Sequence, residues 1–464
     1  MSDVELSRQK PPDGGWGWLI ILAAFINAIL GPGTIYYFSV LYVAFLDAFG
    51  RSQADTSWIY SIFQFCFCMS SSVGIALARK LGHRTTVMIA GFVASCGVLS
   101  SAFATKLYHV YISYGIVTGS SLGLTYTVSI EMVSIYFERK LTIAIGIALA
   151  GVGAGQLTLS LFTQLLVENY GWRGALIILS AVGSHICVAG AFFRPLLNEV
   201  DVSLPSRNAE SGDVMTINNN TCGDSNLHDG VQYCEVIIVE EKKQKSCLTS
   251  AQSFLKTVFG VVVFKNPLSI FLVFVSLGFG FSELVVVMNM VKRARDFGIG
   301  DTQSAFIPAM MGLVQLIGRP LLGVIGHTPC VKAHMLFGTA IAICGILAVV
   351  SSYIKSFAGQ LFCIGGFGIG VGGFFVGLPL TISQFFGHEN IGPGTSLMMQ
   401  AGGVMSLASG PFVGWIRDTF GEYDIAFWAS GIVSMLASAV VFTLPSIDRR
   451  LKRRHSSRRH DSKK

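Results

Sequence analysis

The chain has 464 residues, 52% of them hydrophobic and 13% charged, with a mean hydropathy of +0.60 and a formal net charge of +7. Soluble proteins carry about 25% charged residues, and a large core cannot explain the deficit, because a water-facing surface must still be covered by polar groups. A soluble protein is excluded, and an all-α integral membrane protein is expected.

The first fifteen residues are polar and of mixed charge, so no cleavable signal peptide is expected ahead of the first apolar run. That run is introduced by PPDGGWGW at residues 11–18. Trp16 and Trp18 carry amphipathic rings suited to the headgroup layer, and Asp13 belongs with the water. Gly14, Gly15 and Gly17 permit a tight turn of backbone into the membrane. A crossing helix needs about 20 mostly apolar residues. Twelve stretches qualify: near 17–43, 57–78, 85–104, 109–135, 142–164 and 174–193, then near 267–290, 304–325, 334–353, 357–384, 395–416 and 425–444. Between the two sets, residues 195–265 are rich in Ser, Asn and Asp and read as a linker. Within it AQSFLKTVFGVVVF is an amphipathic stretch suited to the membrane surface. The chain therefore divides into a tail (1–16), a six-helix half (17–194), the linker (195–265), a second half (266–445) and a basic tail (446–464).

Twelve spans put both termini and the linker on one side. Lys and Arg number 24 on that side and 8 on the other, with Arg319 inside a span. The positive-inside rule then places termini and linker in the cytosol. The C-terminal RRLKRRHSSRRHDSKK holds nine of these charges and suits a topology anchor in contact with acidic lipid, in preference to nucleic acid. The ten cysteines fall in apolar stretches or on the cytosolic side, so no structural disulfide is expected. Cys66 and Cys68 read as packing rather than as metal ligands.

The halves echo each other. AGVGAG (150–155) precedes YGWRGA (170–175), as AGGVMS (401–406) precedes FGEYDIA (420–426); GHRTTV (82–87) and GHTPCV (326–331) each follow the second span of a half. Six plus six spans with parallel internal symmetry is the pattern of the major facilitator fold, in which the substrate site lies between the halves at mid-membrane.

PPDGGWGW resembles the opening signature of the monocarboxylate transporter family, a branch of the major facilitator superfamily. The resemblance continues through SWIYSI (57–62), YFERKLTIAIGIALAGVGAG (136–155), GWRGALIILSAV (171–182) and RPLL (194–197). It resumes with SAF and GRPLLGVI (304–325) and GPFVGWIRDTFGEYDIAFWASG (410–431), sparing only the tails and the linker. It implies a plasma-membrane transporter of small organic carboxylates, with no cofactor. It also implies that such a protein can pair with a single-span ancillary glycoprotein.

Charges at bilayer depth cost roughly 2.5–3.5 kcal/mol even on insertion scales, so each needs an account. Arg319 lies in the eighth span. The resemblance makes it the substrate-carboxylate ligand, for which a guanidinium offers two parallel donors that lysine cannot match; the alternative is an arginine snorkelling to the cytosolic face. Proton-coupled members of the family carry an aspartate four residues earlier and a lysine in the first span. Here those positions are Gln315 and Tyr36. Glutamine takes up no proton at physiological pH and tyrosine titrates near 10, so the usual relay is missing. Glu283, mid-way along the seventh span, reads as a buried neutral carboxyl, a substitute proton carrier, or a partner for a cationic group on the substrate. Glu131, near the cytosolic end of the fourth span, reads with Arg139 and Lys140 as a gate or motif salt bridge. His185 reads as a packed or hydrogen-bonded histidine, and Asn27, Gln64 and Gln156 as interhelical hydrogen-bonders. Phe374 and Phe375 are candidate walls of the substrate path, and the glycines of GGFGIGVGG read as close packing rather than a phosphate loop, since no P-loop lysine accompanies them.

No nucleophile–base pair or metal-ligand spacing gathers at one depth, so nothing supports an enzyme. The expectation is an alternating-access transporter of small monocarboxylates, extending to zwitterions of the creatine, carnitine or amino-acid kind without proton coupling. The alternatives are a proton-linked lactate or pyruvate type symporter using Glu283, and a receptor-like or scaffold protein that kept the fold.

Overall fold

The structure is a computed structural model that describes residues 13–194, 266–328, 331–387 and 390–461. The linker with its amphipathic stretch and Cys222, Cys234, Cys247 and Cys330 lie outside these residues.

The first span is two helices, α1 (Trp16–Leu30) and α2 (Gly33–Phe49). They break at Gly31–Pro32, where proline lacks the amide proton that would continue the ladder. Helix α3 (Gln53–Leu81) starts on Ser52, whose hydroxyl accepts from the Asp55 amide at 3.0 Å, a side-chain N-cap. Helix α4 (His83–Ala102) follows, then a short α5 (Leu107–Val110), a π-helical turn Tyr111–Thr118 and α6 (Gly119–Tyr136), which together form the fourth span. Helix α7 (Leu141–Gly183) joins the predicted fifth and sixth spans, bent at Gly171 (φ 67°, ψ 173°), and α8 (His185–Ala191) completes the half. That φ is the left-handed region glycine tolerates, which locates the predicted turn inside GWRGA.

The second half comprises α9 (Leu268–Asp296), α10 (Asp301–His327), α11 (Ala333–Tyr353), α12 (Phe357–Phe386), α13 (Ile391–Phe420) and α14 (Asp424–Asp461). Among the described residues nine helical segments are long and apolar enough to cross a membrane. One of them, 141–191, takes in two predicted spans, and the predicted fourth and eleventh are helical but less uniformly apolar. Helix α14 runs past the predicted end of the last span to Asp461, so most of the basic segment continues the helix. Arg and Lys are good helix formers, and Lys452 bonds Asp448 one turn earlier at 2.7 Å.

The two halves meet along three helix pairs: α2 with α9, α3 with α13, and α7 with α10. Small residues allow the approach. Gly153 faces the backbone of Gly312, Gly403 faces Cys68, and Gly410 faces Ser61. At the face opposite the termini the halves are also tied by polar contacts. The Tyr423 hydroxyl donates to Gln53 Oε1, the Ala54 amide to Asp418 at 3.2 Å, Arg295 to Gln164 Oε1 at 3.4 Å and Thr302 to Glu168 at 3.1 Å. Within the second half, Asp296 at the same level accepts both Arg417 (2.8 Å) and Lys292 (3.0 Å). That face is closed.

Candidate substrate site

Arg319 is buried, 1% exposed, in the middle of the bundle. Its guanidinium does not snorkel. It donates to the Leu149 carbonyl on α7 at 3.1 Å and to the Gln315 side-chain oxygen one turn back on α10, and it lies over the Phe375 ring with 5.3 Å between centres. Gln315 in turn donates its amide to Gln156 Oε1 on α7 at 2.8 Å. Since arginine only donates, Gln315 must turn its oxygen to Arg319 and its NH₂ toward Gln156. The chain Gln156–Gln315–Arg319 therefore crosses between the halves with a defined direction. Arg319 Nε and Gln156 Nε2 remain buried donors without an acceptor.

Glu283, on α9, is 7% exposed, and its Oε1 accepts the Tyr36 hydroxyl from α2 at 3.2 Å. Tyr36, Glu283, Arg319 and Phe375 all line one cavity, together with Gln64, Phe67 and Tyr126. Its free room is about 20 Å³, that of roughly a single water; a substrate has to widen it. Four of the five predicted substrate residues are thus at the cavity wall, and the fifth, Gln315, is bonded to one of them. The cavity pairs an acceptor pole at Glu283 with a donor pole at Arg319, both withdrawn from water, where each charge-assisted contact gains strength. Among the described residues no cluster of His, Cys, Asp or Glu is arranged to hold a metal ion.

The DGGWGW segment does something the residues did not announce. Asp13 stays on the water side and is half-exposed, and there its carboxylate accepts the backbone amides of Glu138 (2.9 Å) and Arg139 (3.2 Å), while its own amide donates to the Tyr136 carbonyl at 3.1 Å. Consecutive amides ahead of a helix leave unsatisfied donors that draw a carboxylate, here those just before α7. The Glu138 amide foremost holds the Asp13 carboxyl below its ordinary pKa. A side chain at Gly17 would run into the Phe137 ring at 2.9 Å, and Trp18 meets that ring edge-on at 5.7 Å. Gly15 has φ 57°, and Gly14 accepts the Gly17 amide at 3.1 Å. Trp16 and Trp18 are half-exposed, as headgroup-layer rings should be, and Trp16 Nε1 also reaches the Phe192 carbonyl at 3.4 Å. The signature and the YFERK loop are one docked unit. Arg139 contributes through its backbone amide, while the side chains of Arg139 and Lys140 are exposed.

Glu131 lies 3.5 Å from His83 Nε2 at the start of α4, a partner that sequence reasoning did not pick out. His185 is exposed at the start of α8, bonded to the Val182 carbonyl in the last turn of α7, so it is hydrogen-bonded but not packed. Asn27 bonds across helices to Thr125 and Ser129, as expected. Gln64 does not; its amide reaches only Cys68 Sγ on the same helix at 4.0 Å. The two candidate phenylalanines part company: Phe375 lines the cavity, whereas Phe374 stacks on Phe279. The glycine run packs as expected, Gly370 against Cys344 and Ala340 and Gly373 against Ala340. Tyr126 and Gln64 were not counted as cavity residues. Their signal was polarity in apolar spans, with Tyr60, Gln64 and Cys68 on one helical stripe.

Known proteins bear on this arrangement. The Major Facilitator Superfamily profile matches residues 18–410. Monocarboxylate transporter 12 of Mus musculus is 28% identical over 451 residues, covering 97% of this chain and 89% of its own. Monocarboxylate transporter 13 of Rattus norvegicus is 29% identical over 441 residues (94% and 91%), and monocarboxylate transporter 14 of Homo sapiens 26% identical over 469 (94% and 91%). With the profile spanning most of the chain, the chain belongs to the major facilitator superfamily, and it is similar nearly end to end to divergent monocarboxylate transporters, which are transporters rather than enzymes.

Proposed function

We propose that the protein carries small zwitterionic carboxylates across the plasma membrane by facilitated transport, without proton coupling, with both termini and the linker in the cytosol. The observation that carries this is the cavity between the halves, where buried Glu283 and buried Arg319 face the same space and a glutamine, not a carboxylate, bonds the arginine. A buried acid and a buried base can both stay charged when each is hydrogen-bonded. The substrate carboxylate takes the free donors of Arg319, and its cationic end takes Glu283. Substrate and site charges then pair one to one, and the transported unit stays near neutral. Movement follows from rocking of the halves about the small-residue pairs, opening the face now tied by Gln53, Ala54, Gln164 and Glu168. The excess of Lys and Arg on the terminal side supports the cytosolic placement.

One observation favours a second reading. The Tyr36 hydroxyl bonded to Glu283 is a plausible path for a proton, which would make Glu283 the carrier and a plain monocarboxylate the substrate. Uptake into proteoliposomes against pH, in wild type and Glu283→Gln, separates the two. Zwitterion uptake that is flat in pH and weakened by Glu283→Gln is the expected result. Lactate uptake driven by an inward proton gradient and abolished in Glu283→Gln would overturn it.

A further inference from the structure

We propose that Gln64 completes the acceptor pole of the substrate site and confines it to carboxylates whose cationic end carries N–H protons, such as a primary ammonium or a guanidinium, against quaternary ammonium. This rests on the zwitterion reading above and narrows it.

Gln64 lines the same cavity as Glu283 and Arg319 and is 8% exposed. Its Oε1 is buried with no partner among the described residues, and its amide nitrogen has among them only the Cys68 thiol sulfur at 4.0 Å. Buried amide oxygens are almost always satisfied, so one left open at a cavity wall points to an acceptor held for something that enters. Gln64 and Phe67 of α3 line the cavity wall together with Glu283 of α9. Glu283 itself uses Oε1 for Tyr36, and Oε2 accepts nothing from the described residues. Acceptor oxygens from two helices, Gln64 on α3 and Glu283 on α9, thus line the same cavity, while Arg319 Nε waits there as a donor.

Such a pole needs hydrogens to receive. A primary ammonium has three and a guanidinium five; a trimethylammonium has none and would leave both oxygens unpaired against methyl groups. Aromatic faces can hold a quaternary cation instead. Of the phenylalanine rings at the cavity, Phe375 lies beneath Arg319, and Phe67 stacks with Phe63 and packs tilted against Tyr126. The free room of about 20 Å³ also favours a compact cationic group. Discrimination of this kind is steep, because a site built to hydrogen-bond rejects an analogue that leaves its polar atoms unpaired.

The test is uptake by wild type and Gln64→Met in proteoliposomes, using β-alanine and 4-aminobutyrate, each against its N,N,N-trimethyl counterpart. The ratio within a pair does not depend on how much protein is reconstituted. Wild type should prefer the N–H compounds, and Gln64→Met, close in volume but without the acceptor, should lower the ratio by about tenfold or more. Gln64→Glu, which keeps an acceptor oxygen, should retain the preference. An unchanged ratio in Gln64→Met, a lost preference in Gln64→Glu, or a wild-type preference for the trimethyl compounds overturns the role of Gln64. If uptake of the N–H compounds still weakens in Glu283→Gln, the zwitterion reading survives that outcome. Failure of wild type to carry any of the four compounds overturns both.

Discussion

The AGVGAG segment of α7 offers a perturbation whose size can be worked out. Its three glycines point two ways. Gly151 and Gly155 meet α1 of their own half, at the carbonyls of Phe25 and Ile29, whereas Gly153 meets α10 of the other half at Leu316 N and Gly312 O. A methyl group at Gly153 would lie 2.6 Å from the Gly312 carbonyl, where ordinary contact starts at 3.4 Å. Both walls are helix backbone, so no side chain can turn aside. Leu316 N would be closer still, so the halves must part by more than about 0.8 Å at this point, and overpacking of this order costs about 1–3 kcal/mol. Only the conformation in which α7 and α10 touch bears that cost. Gly153→Ala should therefore shift the conformational equilibrium roughly 5- to 150-fold away from it. Gly151→Ala, packed inside one half, should instead lower the stability of the fold.

Cys68 reports the shift. It is buried on α3 where Gly403 of the other half presses on it. A small membrane-permeant maleimide should label it faster in Gly153→Ala than in wild type, with Cys68→Ser giving the background from other cysteines. Gly151→Ala should lower the thermal midpoint and leave the labelling of the folded protein near wild type. Wild-type labelling and wild-type transport together in Gly153→Ala would refute the contact as a conformational hinge.

Arg319→Lys keeps the charge but loses the planar fork that spans Leu149, Gln315 and the substrate, and Arg319→Ala loses both; uptake should fall about tenfold or more in each at normal surface abundance. Wild-type uptake by Arg319→Ala would remove the carboxylate assignment. Asp13→Asn should lower the thermal midpoint of the detergent-solubilised protein at neutral pH, because the amide is a weaker acceptor for Glu138 and Arg139. The Asp13 carboxyl is held below its usual value, so its contribution is present above about pH 4 and is lost as the pH falls below that. The wild-type advantage should shrink in step. An advantage undiminished at pH 3, or absent at pH 7, would refute the docking role.

Much of the fold was legible because lipid leaves few options. Backbone groups in hydrocarbon must be paired internally, so an apolar run of the right length is a helix. The breaks at Gly31–Pro32 and Gly171 follow from residues that cannot continue a helix or that tolerate positive φ. The basic tail continues α14 to Asp461 because charge ends the membrane-spanning stretch and leaves helix propensity intact. In the site, Arg319, Glu283, Gln315 and Tyr36 stood out because charge or its loss at bilayer depth is conspicuous. Gln64 and Gln156 did not, since a neutral amide in a span is ordinarily explained by a neighbouring helix. Which amide finds a partner depends on register between spans far apart in sequence, such as α7 against α10. The partners of Asp13, Glu138 and Arg139, were hidden for the same reason, lying well over a hundred residues away.

The distribution of contacts between the halves bears on how they can separate. A large hydrophobic interface holds two bodies in one arrangement. Here the mid-depth contacts rest on glycines and short side chains (Gly153 on Gly312, Gly403 on Cys68, Gly410 on Ser61), which lock few rotamers and lose little when they slide. The stronger ties are polar and sit at one face, Tyr423 to Gln53, Asp418 to the Ala54 amide, Arg295 to Gln164 and Thr302 to Glu168. Water can replace each of these at modest net cost, since an exposed hydrogen bond exchanges with solvent. The buried chain Gln156–Gln315–Arg319 differs, because its donors have no water to turn to when α7 and α10 part. On the function proposed above, a substrate carboxylate on Arg319 would offer that replacement inside the cavity. Occupancy of the site would then lower the cost of separating the halves, and the residues proposed to recognise the substrate would also couple its binding to movement.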